Sequence, residues 1–185
     1  LDIPLQHSEN RILKLMGRKG TREEYSKLFE TLRKEIPGVA LRTTFITGFP
    51  SETEEEHKAL LSFIKEQKFE NAGIFAYSRE PETPAYKMKG QIPASVKKRR
   101  QRELYEAQRE VSKKYLESFV GKTISVVCDG VNEEGTGFVG RAYFQAPEID
   151  GNVFFTSPRA KEGEIYHIKI ESALDYDLLG TAVSE

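Results

Sequence analysis

The apolar residues of this chain change their spacing near residue 121, and that change constrains the architecture more than any single motif. Before it, β-branched and apolar runs alternate with stretches of helical spacing. After it, apolar residues recur at every second position in short runs separated by Gly, Asn, Asp and Pro. Two folding units are therefore expected, residues 1–120 and 121–185. A chain of 185 residues, 38% hydrophobic and 31% charged, has enough apolar surface for two modest cores rather than one large one.

In the first unit, Leu1–Gln6 reads as a strand already in progress, without a cap or polar lead-in. Such a strand implies neighbours in a parallel sheet, so further strands are expected upstream and the chain is expected to be the C-terminal part of a larger α/β domain. An amphipathic stretch follows (Ile12, Leu13, Leu15, Met16). Thr21 with Glu24 then forms a capping box opening a helix that Pro37-Gly38 ends. Val39–Phe49 reads as a strand, 53–68 as a helix with Thr53 and Glu56 as its capping box, and Ala72–Tyr77 as a strand. This β-α-β-α-β series predicts a parallel sheet with right-handed crossovers and functional groups at the C-terminal strand ends. A long helix from Pro93 to about Phe119 is expected to pack on the outside, stopped by Gly121. Its basic run, Lys97, Lys98, Arg99, Arg100 and Arg102, reads as a solvated face rather than a nucleic-acid contact. Five short strands, 123–129, 137–144, 152–156, 164–170 and 177–183, then predict a small antiparallel barrel.

Three groups carry candidate chemistry. Gln6, His7 and Arg18 lie after the opening strand, where a guanidinium in the Gly-flanked turn suits a carboxylate; His7 by itself is more often structural. Arg42 and Thr44 share one strand face ahead of Gly48, Pro50 and Glu52, where backbone can approach a ligand closely; an ordinary strand-to-helix turn is the alternative. Phe75, Tyr77 and Ser78 end a strand and pass into a Pro-braced loop, offering an apolar wall to a flat ring, although core packing explains the two aromatics equally well. The single cysteine, Cys128, reads as a buried structural thiol. There is no Gly-rich phosphate loop, no cluster of Cys and His with metal-ligand spacing, and no Ser-His-Asp pattern. Nor does any run approach the roughly 18 apolar residues of a membrane span, and a cytoplasmic protein is expected.

Taken in order, Pro4-Leu5-Gln6-His7, Leu13-x-x-Met16-Gly17-Arg18, Thr43-Thr44-Phe45-Ile46-x-Gly48-Phe49-Pro50-x-Glu52-Thr53, and Tyr77-Ser78 with Thr83-Pro84-Ala85 resemble the radical S-adenosylmethionine (SAM) methylthiotransferases. The resemblance covers nearly the whole chain. It implies the C-terminal part of a radical SAM (β/α) partial TIM barrel followed by a small antiparallel five-stranded, OB-like β-barrel, the TRAM domain. It further implies SAM as cofactor, and two [4Fe-4S] clusters bound upstream by cysteines that these residues lack, so the fragment alone is expected to be inactive. By resemblance, Gln6, Arg18, Arg42, Thr44, Gly48, Glu52, Phe75, Tyr77 and Ser78 surround SAM. Ser51 departs from the family, which usually has Gly there.

Gln6-His7, Arg79-Glu80-Pro81-Glu82-Thr83 and Ala146-Pro147-Glu148-Ile149-Asp150-Gly151 resemble the branch that modifies an aspartate of ribosomal protein S-twelve. Charge agrees: residues 121–185 hold 5 Lys and Arg against 11 Asp and Glu, while residues 1–120 hold 23 against 18. An acidic barrel suits a basic ribosomal protein better than nucleic acid, with Pro147, Glu148 and Asp150 as partner-binding candidates. The alternatives are a transfer-RNA adenosine methylthiotransferase and a non-catalytic module binding ribosomal protein or RNA.

Overall fold

The structure, a computed structural model, describes residues 1–183 and divides into two compact units, Leu1–Gln108 and Arg109–Glu185. The division falls inside the long helix rather than at Gly121.

The first unit holds α1 (Asn10–Leu15), α2 (Arg22–Glu35), β1 (Arg42–Thr47), α3 (Glu54–Gln67), β2 (Asn71–Ala76), a single 3₁₀ turn (Pro84–Lys87) and the start of α4 (Ala94–Glu117). Thr21 and Thr53 each accept a hydrogen bond from the amide three residues on, while Glu24 and Glu56 accept one from the cap amide, so both expected capping boxes are formed. β1 and β2 pair in parallel from Arg42↔Asn71 to Thr47↔Ala76. The opening segment runs beside β1 but is not a continuous strand: it bridges at Asp2↔Arg42 and again at Gln6↔Phe45. The register slips by one residue between the two bridges, because Pro4 has no N–H to give the ladder. The Thr43 side chain fills the gap, accepting from the Leu5 amide at 3.3 Å and donating to the Ile3 carbonyl at 2.9 Å.

Phe29, Phe45, Phe63 and Phe69 form the centre of the core with Leu5, Leu41, Leu60, Ile64, Ile74, Leu104 and Ala107. The Phe29–Phe69 and Phe45–Phe63 rings meet edge to face at 5.0 and 6.5 Å. Leu104 and Ala107 place the first half of α4 on this core, as its apolar spacing requires.

The second unit is a closed barrel of β3 (Thr123–Val131), β4 (Phe138–Ala142), β5 (Val153–Thr156), β6 (Ile165–Ala173) and β7 (Leu178–Ala182), ordered β3-β4-β5-β7-β6. It is mixed rather than all antiparallel, since β5 and β7 pair in parallel from Val153↔Leu178 to Thr156↔Thr181. Period-two spacing reports which face a residue occupies, not strand direction, so the sequence carried no sign of this pair. Val126, Cys128, Ala142, Val153, Phe155, Ile168, Ile170 and Leu178 are its buried apolar side chains. Burial pushes the Cys128 thiol pKa up, in keeping with an inert structural role. Among the described residues no helix is long and apolar enough to cross a membrane.

Candidate functional site

The C-terminal ends of β1 and β2 lie side by side, and the loops that leave them carry most of the candidate residues. Burial alternates along β1: Thr43, Phe45 and Thr47 face the core, while Arg42, Thr44 and Ile46 face the more open side. Through the parallel register that open side continues onto Asn71, Gly73 and Phe75, and Phe75 is 56% exposed. The Phe75 ring folds over Gly73, where an added Cβ would meet it at 3.2 Å. The result is a partly apolar shelf with Thr44 as its polar member.

At the end of the shelf the chain turns at Gly48 (φ +74°) and Ser51 (φ 66°). The turn is built around Glu52. Its carboxylate accepts from Thr47 Oγ1 at 3.0 Å, the Gly48 amide at 2.6 Å, the Phe49 amide at 3.2 Å and Arg100 Nη1 at 3.0 Å. The His7 and His57 rings flank it at 3.8 and 4.0 Å, beyond hydrogen-bond length. His7 Nδ1 accepts the Glu9 amide, and His57 Nε2 meets Glu103 at 2.7 Å. Burial favours the protonated form of Glu52, but His7, Arg100 and Thr47 outweigh it and hold the carboxyl below its usual range. Glu52 is only 2% exposed, so it shapes the turn from within and does not present its carboxylate to the open side.

Ser51 is secured from outside. Its left-handed backbone, unfavourable for a residue with a Cβ, is held by its amide bond to the Gly90 carbonyl at 2.8 Å. Arg11 donates to its carbonyl at 2.8 Å and its hydroxyl at 3.2 Å, and also grips Glu56. The serine hydroxyl thus adds a contact to Arg11 that a glycine would lack.

The other candidates are spread unevenly. Gln6 (φ 75°) sits at the second bridge beside Phe45, and Arg18, exposed, donates to the Pro4 carbonyl, so both lie along the opening segment. Tyr77 donates its amide to the Thr47 carbonyl at 2.9 Å, packs edge to face on Phe49, and has a buried hydroxyl without a partner. Ser78 bonds Glu80. Arg42 stands apart: it opens β1, about 20 Å along the strand from Gly48, with Asp2 3.8 Å away. Sharing a strand face with Thr44 did not bring it to the strand end.

Sequence reasoning missed the residues behind the turn. Lys97 and Arg100 do not belong to a solvated face: Arg100 is 4% exposed, and Lys97 Nζ donates to the Tyr77 carbonyl at 2.9 Å. Arg99 bridges Glu54 and Glu103, and Arg102 does remain exposed. The signal was present in the spacing, since 97, 100, 104 and 107 fall on one side of a helix whose last two members are apolar.

Several carboxylates here titrate low. Hydrogen bonds from Arg99 and Arg100 hold Glu54 at a pKa of about 2. In Glu56 and Glu103 burial opposes the shift, but Arg11, and Arg99 with His57, bring the net below the usual range. A carboxyl lowered in the folded state adds stability above its unfolded pKa of about 4.5 and loses it as pH falls toward the folded value. The first unit should therefore keep its stability from pH 7 to about 5 and lose it progressively below about 4.5, read as urea midpoints by circular dichroism across that range. A constant midpoint down to pH 3 would contradict this.

A cleft of about 970 Å³ opens on the barrel, with Val131, Val139, Phe154 and Leu179 among its apolar lining. Asp129, Glu133, Glu134 and Glu148 line it against one cation, Arg141, which pairs with Asp129 at 2.9 Å. Pro147 and Glu148 belong to this cleft. Asp150 instead turns back on its own loop, accepting the Ala146 amide at 2.7 Å.

Comparison with known proteins fits this arrangement. Residues 1–64 match the Radical SAM superfamily and residues 120–183 the TRAM domain. The ribosomal protein uS12 methylthiotransferase RimO of Lachnoclostridium phytofermentans is 48% identical over 183 residues, 98% of this chain and 42% of that protein. The enzymes of the same name from Carboxydothermus hydrogenoformans and Acetivibrio thermocellus are 46% and 43% identical over all of this chain, and 42% and 41% of their own lengths. Along its whole length the chain is similar to enzymes of the radical SAM methylthiotransferase family. It spans about two fifths of the length of the curated relatives it matches. The Radical SAM match makes SAM the cofactor to weigh against these strand ends, and the chemistry of the shelf fits it: an exposed aromatic beside a threonine. An iron–sulfur cluster has no such fit, since the described residues contain no group of three or more His, Cys, Asp or Glu able to hold a metal, and Cys128 is alone and buried.

Proposed function

We propose that this chain is the SAM-shelf and substrate-docking part of a cytoplasmic methylthiotransferase that modifies an aspartate of ribosomal protein uS12. When bound, SAM would supply, on one-electron reduction, a radical able to remove hydrogen from an unactivated C–H, and a second SAM molecule would supply the methyl group of the product. The chain's own residues bind and orient it. Phe75 offers a flat apolar face and Thr44 a polar contact, the backbone of residues 76–78 borders the adenine, and Glu52 holds the Gly48–Phe49 turn open from behind. Gln6 and Arg18 complete the rim along the opening segment, and Arg42 lies at its far end. The clusters are held by residues outside those described, in a chain of the relatives' full length, and the piece by itself is inactive.

The observation that carries the choice of substrate is the acidic cleft of the barrel. Four carboxylates line the cleft against one cation, which pairs with one of them, and the net negative charge suits lysines and arginines of a basic protein and repels a phosphate backbone. Pro147 and Glu148 contact that partner, and Asp150 keeps their loop in shape. Binding of the 185-residue chain to uS12 and to transfer RNA, side by side at low and high salt, tests this. Binding selective for uS12, weakened by salt and by Glu133→Lys with Glu134→Lys, is expected. Selective binding of transfer RNA would move the chain to the adenosine-modifying branch, and binding of neither would remove the barrel from recognition.

A further inference from the structure

β2 is the outer strand of the two-stranded sheet, and its exposed edge is met not by another strand but by side chains of α4. Gln108 Nε2 donates to the Phe69 carbonyl at 2.8 Å, Gln101 Nε2 to Ile74 at 3.0 Å, and Lys97 Nζ to Tyr77 at 2.9 Å. Only the Ile74 carbonyl belongs to β2 itself; those of Phe69 and Tyr77 flank the strand, and the last contact falls at the strand end where the ligand shelf begins.

Lys97 does more there than satisfy a carbonyl. Its stem lies against Gly48, so close that an added Cβ at Gly48 would come within 2.5 Å of Lys97 Cγ. Its ammonium sits 4.9 Å above the Tyr77 ring, which packs on Phe49 at 5.2 Å. One side chain therefore touches both the turn after β1 and the residue after β2. One helical turn on, Arg100 grips the carbonyl and carboxylate of Glu52, each at 3.0 Å, and so fixes the Gly48 and Phe49 amides from behind. We propose that Lys97, backed by Arg100, is a positioning residue for SAM: it sets the spacing between the Gly48–Phe49 turn and the Tyr77–Ser78 backbone that border the adenosine.

The inference rests on the assignment of SAM to these strand ends, and the test separates the two. In a chain of the relatives' full length with its clusters reconstituted, SAM affinity is measured by equilibrium binding for Lys97→Met, Lys97→Arg and Phe75→Ala, with urea midpoints for each. Methionine keeps the stem against Gly48 and removes the ammonium. Lys97→Met is expected to weaken SAM binding about five- to tenfold, and Lys97→Arg, which restores a cation reaching Tyr77, to recover most of it. Unchanged affinity in Lys97→Met while Phe75→Ala weakens binding would overturn the positioning role and leave the SAM site standing. Unchanged affinity in both would overturn the site and the inference together. A loss that tracks the urea midpoint and is not rescued by arginine would reduce Lys97 to a structural contact, which also overturns it.

Discussion

Glu52→Ala is expected to destabilise the first unit by about 3 kcal/mol, the cost of leaving buried donors without their acceptor. The substitution leaves the Gly48 and Phe49 amides without the carboxylate they now share, and takes one of two carboxylates from Arg100, 4% exposed, which keeps Glu54 at 3.1 Å. Glu52→Gln should fall between, since an amide oxygen still accepts one or two of these bonds but carries no charge for the guanidinium. Arg100→Met should cost a similar amount from the other side, and the double variant less than the sum of the two, because each single change exposes the penalty of the other. Urea unfolding, with hydrogen exchange at the Phe45 and Ile74 amides to assign the transition to this unit, measures all four. A loss below about 1 kcal/mol for Glu52→Ala would mean that the carboxylate is no more than a surface-grade contact.

Gly151→Ala is expected to cost the barrel about 3 kcal/mol or more. A Cβ at Gly151 would lie 1.8 Å from the Tyr176 carbonyl oxygen, 2.6 Å from its carbon and 2.9 Å from Asp177 Oδ1. Neither obstacle can step aside. Tyr176 is met through its backbone, and Asp177 Oδ1 accepts the Asn152 amide at 2.7 Å, next to the Leu178 amide bond to the Asn152 carbonyl that opens the parallel β5–β7 pair. Gly135→Ala in the same barrel is the control: its φ of +67° carries a backbone cost of about 1–2 kcal/mol, but nothing lies within 4 Å of its Cβ. Equal urea midpoints for the two variants would show that the close approach at Gly151 is relaxed in solution.

The features legible in the sequence were those decided locally. Thr21 with Glu24 and Thr53 with Glu56 begin helices because a hydroxyl and a carboxylate at that spacing satisfy each other's orphan amides wherever the chain goes next. The barrel's inward faces followed from period two. The break at Pro4 was also present in the letters, although the slip of one residue that it causes depends on Thr43, 39 positions downstream of it, supplying the missing bonds. What the sequence hid was set by long-range contact. Lys97 and Arg100 look like surface charge in a basic run; Lys97 is half-buried and Arg100 buried only because Gly48, Tyr77 and Glu52 lie across from them. Glu52 and Asp150 look like polar groups awaiting a ligand and are consumed inside their own turns. Arg42 shares the open face yet opens the strand whose far end carries the site.

The most direct measurement is the mass of ribosomal protein uS12 after reaction with a chain of the relatives' full length with its clusters reconstituted, SAM, a reductant and inorganic sulfide as sulfur source, with fragmentation to locate the change. A gain of one methylthio group on an aspartate, lost when Phe75 is replaced by Ala, is the expected result. Unmodified uS12 alongside a methylthiolated adenosine in transfer RNA would contradict it.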